Sequence, residues 1–182
     1  MSSPTRRSDA ARNREKILTA ARAAFAEPDA DEISMAEISR RAGVGMATLY
    51  RNFPGRRELL EVLYTEEVDA VCAAAEPPAT LVDWLRRFSA FSAAKRHIAS
   101  ELLTHVDSTN PVFNENRDRV LAAGRPLLVA AQRSGAVRDD LTLEQILDMI
   151  IAVTRIHGDP DYVEPMLQTV FAGLRPVSDA AR

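Results

Sequence analysis

Between Ser34 and Leu60 the chain reads SMAEISRRAGVGMATLYRNFPGRRELL. Gly45, Met46, Ala47, Thr48, Tyr50, Arg51 and Asn52 crowd this stretch and combine small, hydroxyl-bearing and cationic groups. Small residues let a backbone approach a major groove, hydroxyls and amides bond to phosphates, and arginine reaches both phosphates and base edges. Val44, Leu49 and Phe53 are interleaved with them, so the apolar side of a short helix can be buried while the polar side faces outward. Gly43 permits a turn in front of that helix, and Ser39 is small where a preceding helix would approach it. Two short helices joined in this way have the layout of a helix-turn-helix.

Other chemistry finds little support. No nucleophile, histidine and acid set, phosphate-binding loop or metal-ligand spacing is present in the sequence. His97, Glu101 and His105 share one face of a predicted helix, but its rise would separate the two histidines by about 12 Å, too far for one ion. Surface ion pairing explains them better. The single cysteine, Cys72, excludes an internal disulfide and any CxxC site, and it has no basic partner in an evident position. The sequence therefore predicts no enzyme, no cofactor and no metal site.

Across 182 residues the chain is 46% hydrophobic and 27% charged, which excludes a disordered polymer. No apolar run is long enough for a membrane span. The basic start, MSSPTRRSDAARNREK, is not followed by an apolar stretch, so a soluble, cytoplasmic protein without a secretory signal is expected. The net charge of −3 hides an asymmetry: residues 1–60 hold 11 basic and 8 acidic side chains, and residues 61–182 hold 12 and 18. A basic front end on an acidic body suits contact with a polyanion through the front end.

Helical periodicity runs through the chain. Ile17, Ala21, Ala24 and Phe25 mark one face of a helix from about Asp9 to Glu27, ended by Pro28-Asp29. After an acidic loop, Ser34 with Glu37 gives a capping box for a helix to about Arg41. A second short helix covers Met46–Phe53, stopped by Pro54-Gly55. A long helix follows from Arg56 to about Ala75 on the stripe Leu59, Leu60, Leu63 and Val68. Leu81, Trp84, Leu85, Phe88 and Phe91 predict the next helix. Others are expected at 98–106, from Pro111 to about Arg133, at 143–157 behind a Thr142/Gln145 capping box, and at 161–174. No stretch alternates as a half-buried strand does. The expected fold is all-α, with about nine helices.

Taken together, Arg14, Ile17, Leu18, Ala20, Ala21, Phe25, Ala26 and Glu27, then Ser34, Met35 and Ile38, then Ala42, Gly43, Val44, Thr48, Leu49, Tyr50, Arg51, Phe53, Pro54, Arg56, Leu59 and Leu60 form an ordered pattern. It resembles the N-terminal domain of the tetracycline-repressor (TetR) family of bacterial transcriptional regulators, over about the first third of the chain. Two positions depart from the family pattern. Asp29 stands where the family usually has glycine, and Ser39 where it usually has alanine. Asp tolerates a left-handed turn better than most residues, and serine remains small.

The resemblance implies a DNA-binding domain over 1–55 and a helical ligand-binding and dimerisation domain over 56–182, with the helix at 56–76 as connector. It places Tyr50 and Arg56 on phosphates, the latter aided by a helix N-terminus. It also places Ser34 and Thr48 on the DNA backbone, and Gly45, Met46, Ala47 and Arg51 on the surface that reads bases, with Asn52 beside them. Arg6, Arg7 and Arg12 either enter an adjacent minor groove or form a solvated tail. From about residue 79 the chain resembles the family's regulatory domain, and FSAAKRHIASELL and the ending GLRP resemble a subgroup of small actinobacterial-type regulators.

The two last predicted helices each carry more than one apolar stripe. Ile146, Ile150 and Val153 mark one face of the first, and Leu147, Ile151 and Thr154 another. Val163, Leu167, Val170, Phe171 and Leu174 form a stripe on the second, with Tyr162, Met166 and Gly173 beside it. Two apolar faces need burial on two sides. The family's dimer interface supplies the second side; a fully buried core helix is the alternative. The expected interface is Leu147, Ile151, Thr154, Tyr162, Met166, Val170 and Gly173. The aromatic group Trp84, Phe88, Phe91 and Phe113 reads either as solid core or as an effector pocket completed by Met149, with His105 or Arg117 as polar anchor.

The expected protein is thus a ligand-released repressor, homodimeric on an inverted-repeat operator in double-stranded DNA, nucleoid-associated, with an unknown small-molecule effector. The alternative is a helical small-molecule-binding or interaction protein with no DNA-dependent role, against which Thr48, Tyr50 and Arg56 argue.

Overall fold

The computed structural model describes residues 4–27, 33–94, 111–156 and 159–176. Among them are eight helices: α1 (Pro4–Phe25), α2 (Met35–Ala42), α3 (Met46–Asn52), α4 (Arg56–Ala73), α5 (Leu81–Ala94), α6 (Pro111–Arg133), α7 (Leu143–Thr154) and α8 (Pro160–Gly173). No strand occurs among the described residues. The all-α expectation holds. The predicted helix at 98–106 lies outside the described residues, as do His97, Glu101, His105 and Asp29.

The chain divides into two compact units inside α4, between Glu66 and Glu67. The sequence placed the boundary earlier, at 55/56. The first half of α4 stays with the N-terminal unit because Leu59, Leu60 and Leu63 are fully buried. Two contacts add to this: the Arg56 guanidinium lies 4.9 Å from the centre of the Phe25 ring, and Arg22 donates to Glu66 at 2.5 Å.

In the first unit α1 packs on α2 and α3. Ile17, Ala21, Ala24 and Phe25 are buried as the periodicity predicted, with Leu18 beside them. α1 begins five residues before the expected Asp9, since nothing in PTRRS after Pro4 breaks a helix and Pro suits a first turn. The α2 cap is half of the predicted box. Ser34 Oγ accepts from the Glu37 amide at 3.2 Å, but the Glu37 carboxylate is taken by Arg40 and Arg41 instead of reaching back. Ile33 and Ile38 are both buried and occupy the positions of a hydrophobic staple around that cap.

In the second unit α5 packs on α6 and α7, and α7 on α8. Here the Thr142/Gln145 box is complete in both directions. Gly135, at φ +70°, ends α6 in the left-handed conformation that favours glycine. The Arg138 amide then donates to the Leu174 carbonyl at 2.9 Å, tying this loop to the end of α8.

Candidate functional site

The turn between α2 and α3 is built from three small residues. Gly43 takes φ +63° and caps α2, its amide reaching the carbonyls of Arg40 and Ser39. A side chain there would be strained by the backbone itself. Ser39, 5% exposed, donates its hydroxyl to the Val44 carbonyl at 2.6 Å. Serine in place of the family's alanine therefore adds a bond across the turn as well as remaining small. Gly45 opens α3 in extended conformation. Leu49 and Phe53, at 0% and 1% exposure, fix the rotation of α3 on the unit's core.

That rotation turns Met46, Ala47, Tyr50 and Arg51 outward. Met46 is 39% and Tyr50 47% exposed, large groups in water on a seven-residue helix. Arg51 donates to Thr48 Oγ1 at 2.9 Å, so the guanidinium is tethered along the outer face, and no carboxylate pairs with it among the described residues. Asn52, half-buried, donates its amide to the Thr48 carbonyl at 2.8 Å. Its amide group is thus engaged within its own helix. Ser34 is exposed, with its hydroxyl engaged in the α2 cap. Arg56 is half-buried at the start of α4, and Arg14 lies 4.8 Å from the centre of the Phe53 ring.

The arginines of α2 are held differently. Glu37 accepts from Arg40 at 2.9 and 2.6 Å and from Arg41 at 2.6 Å. Arg41 also donates to Glu27 at 2.5 and 3.1 Å. Hydrogen bonds from Arg40 and then Arg41 hold the Glu37 carboxyl down at about 2, and that from Arg41 lowers Glu27. The positive charge of α2 is thus paired in place by Glu37 and Glu27, whereas Arg51 on α3 has no carboxylate beside it among the described residues. Of the N-terminal arm, Arg12 is exposed and 3.6 Å from Asp9; the side chains of Arg6 and Arg7 lie outside the described residues.

Of the aromatic group that reads as either core or effector pocket, Trp84 and Phe88 are core. Trp84 is 1% exposed, donates Nε1–H to the Val71 carbonyl at 2.9 Å, and stacks on Phe88 at 6.1 Å between ring centres. Gly124 explains its position: a Cβ there would lie 2.5 Å from Trp84 Cζ3 and 3.0 Å from Leu143 Cδ2. The indole is thus packed directly on the α6 backbone. Phe88 is buried at 5% exposure, while Phe91 and Phe113 are half-buried. Arg117 is exposed and paired with Asp148 at 3.3 Å, and Met149 is 37% exposed on the surface of α7. His105 lies outside the described residues. A cavity of about 420 Å³ occurs elsewhere in this unit, between α5, the end of α7 and α8, with Arg86, Ser89, Thr154, Leu167 and Phe171 in its walls. None of the six predicted pocket residues that are described lines it.

The expected dimer residues divide by helix. On α7, Leu147 and Thr154 are 2% and 4% exposed and belong to the protomer's own core. Thr154 Oγ1 meets Ser92 Oγ at 2.8 Å. Packing of α7 against both α5 and α8 covers these two side chains. Ile151 is half-buried. On α8, Tyr162 is 58% exposed, Gly173 is exposed, and Met166 and Val170 are half-buried, while Leu167 and Leu174 carry the inward stripe. Among the described residues no cluster of His, Cys, Asp or Glu could hold a metal ion, and no helix is long and apolar enough to cross a membrane.

Comparison with known proteins agrees with this arrangement. Residues 17–63 match the family described as bacterial regulatory proteins, tetR family. Residues 76–176 match the C-terminal domain of SbtR-like transcriptional regulators. An uncharacterised HTH-type transcriptional regulator of Mycobacterium bovis is 38% identical over 56 residues, 31% of this chain and 30% of its own length. An HTH-type transcriptional regulator of Staphylococcus aureus is 36% identical over 63 residues, 35% of this chain and 34% of its own. The match thus spans about a third of these curated relatives. Likeness to solved structures extends further. The TetR transcriptional regulator SCO0520 of Streptomyces coelicolor superposes with a TM-score of 0.71 at 34% identity, over 91% of this chain and 99% of that one. A TetR transcription regulatory protein of Mycobacterium vanbaalenii gives 0.71 at 29%, over 93% and 99%. With its N-terminal helix-turn-helix and its C-terminal domain both matched, the chain belongs to the TetR family of helix-turn-helix transcriptional regulators, a family of DNA-binding proteins rather than enzymes.

Proposed function

We propose that the protein acts as a homodimer on an inverted-repeat operator in double-stranded DNA, in the cytoplasm and at the nucleoid, and is released by a small-molecule effector. The observation that carries the DNA reading is the outer face of α3. Met46, Ala47, Tyr50 and Arg51 stand exposed there on a helix anchored by Leu49 and Phe53, and Arg51 has no carboxylate partner among the described residues. In this reading Met46, Ala47 and Arg51 face base edges, with Gly45 letting the backbone approach. Tyr50, Arg56, Thr48 and Ser34 hold phosphates, and Asn52 supports α3 through the Thr48 carbonyl.

Dimerisation is assigned to the outer stripe of α8, Tyr162, Met166, Val170 and Gly173, with Ile151 and the exposed Met149 contributed by α7. Apolar groups at that spacing on a surface helix gain by covering one another. A dimer places two α3 helices in successive major grooves, so half-sites should be about one helical turn apart or more. Selection from random DNA, followed by mobility shifts on the selected site, tests this. Recovery of a palindrome bound by a dimer is the expected result; no enriched sequence, or binding by a monomer, overturns it.

A further inference from the structure

The cavity of about 420 Å³ in the second unit has a simple polar inventory. Its hydroxyls are already committed. Ser89 Oγ donates to the Arg86 carbonyl at 2.8 Å, and Thr154 Oγ1 is shared between Ser92 and the Ile151 carbonyl. The Glu164 carboxylate accepts from Gln168. Arg86 is different. Its guanidinium lies over the Phe171 ring at 5.6 Å from the centre, and it makes no ion pair among the described residues. Stacking occupies the face of a guanidinium and leaves its five N–H donors in the plane unspent. The remaining walls are aliphatic or aromatic: Ala90, Ala93, Ile156, Val163, Leu167 and Phe171.

We propose that this groove binds an amphipathic organic anion, with its carboxylate on Arg86 and its apolar body along Ala90, Val163, Leu167 and Phe171. A carboxylate matches the guanidinium fork in two parallel hydrogen bonds, which an alcohol or an amine cannot do. The volume falls in the range of small-molecule sites. It accommodates an acyl chain of about ten carbons, each methylene of which tightens binding roughly fourfold when buried. The groove joins α5 to α7 and α8, so an occupant would bridge the helices that carry the proposed dimer stripe. The inference rests on the effector-release reading only for that consequence, since binding itself is measured without DNA.

The test uses the full chain and titration calorimetry with decanoate below its micelle concentration, against decanol and octanoate. The expected result is one site, at least tenfold tighter for decanoate than for decanol, and about tenfold or more tighter than for octanoate. Arg86→Gln should remove the preference over decanol while leaving decanol binding as it was, which separates charge recognition from lost packing. Ala90→Trp, at an exposed position, should fill the groove and abolish both, with melting temperature as the folding control. Glu164→Gln should leave decanoate equal or tighter. Equal binding of acid and alcohol, an intact preference in Arg86→Gln, undiminished binding in Ala90→Trp, or weaker binding in Glu164→Gln would each overturn the proposal. Decanoate that binds as expected but leaves operator affinity unchanged would uphold the site and overturn effector release.

Discussion

The indole of Trp84 occupies the space that a side chain at Gly124 would need. A Cβ on Gly124 would sit 2.5 Å from Trp84 Cζ3 and closer still to Cη2, far inside van der Waals contact. Gly124 lies within α6, where glycine costs about 0.8–1.0 kcal/mol relative to alanine in helix propensity. Replacing it by alanine recovers that propensity but overpacks the core, typically at about 1–3 kcal/mol. The clash is with a rigid ring held on its far side by the Val71 carbonyl, so it wins. Gly124→Ala should therefore lose up to about 2 kcal/mol in urea unfolding, and less in a Trp84→Phe background, where the smaller ring leaves room. Trp84 is the sole tryptophan, so its fluorescence reports directly on this packing. A more stable Gly124→Ala protein would contradict the account.

Arg51 and Arg56 should differ in salt dependence. Arg56→Ala should weaken binding similarly on every DNA sequence and reduce the salt slope by about one per half-site. Arg51→Ala should cost about 1–3 kcal/mol on the selected site and relax one base position. Arg40→Ala is the comparison, since Glu37 already neutralises Arg40, and its salt slope should change little. Titrations of binding against salt concentration check all three, and a full slope retained in Arg56→Ala would refute the phosphate assignment.

The Glu37 cluster sets an acid dependence. Its carboxyl is held at about 2 in the fold against an ordinary value of 4.5, so the folded state binds fewer protons than the unfolded one between these values. The stabilisation is full above about pH 4.5 and is lost as pH falls toward 2. Glu37→Gln should flatten that part of the stability profile and lower the neutral-pH midpoint by the same amount, a small one because solvent still screens the half-buried carboxylate. Denaturant melts of the two proteins from pH 6 to 2.5 measure it; parallel profiles would exclude Glu37 as the source.

Charge on α8 should separate dimerisation from folding. Met166→Glu should give a folded monomer by light scattering with weakened operator binding. Leu147→Ala, by contrast, removes part of the protomer's own core and should cost about 2–5 kcal/mol of stability. A dimeric Met166→Glu protein would move the interface elsewhere.

The sequence by itself determined the helices and the helix-turn-helix. Their signals are local: apolar spacing at Ile17–Phe25, capping at Ser34 and Thr142, glycine at Gly43, and a fixed buried pair at Leu49 and Phe53. Local signals also place Met46, Tyr50 and Arg51 on one outer face, because a seven-residue helix anchored by Leu49 within it and Phe53 just after it has only one rotation available. Tertiary structure decided what such patterns leave open. A helix with two apolar stripes can turn either toward its neighbours, and the packing of α7 between α5 and α8 buried Leu147 and Thr154 instead of presenting them to a second copy. An aromatic stripe reads the same as core or as pocket; Gly124, some forty residues away, let the Trp84 ring close onto the α6 backbone and made it core. The groove under Arg86 has no sequence signature, since its walls come from segments far apart in the chain, and only their packing leaves space between them.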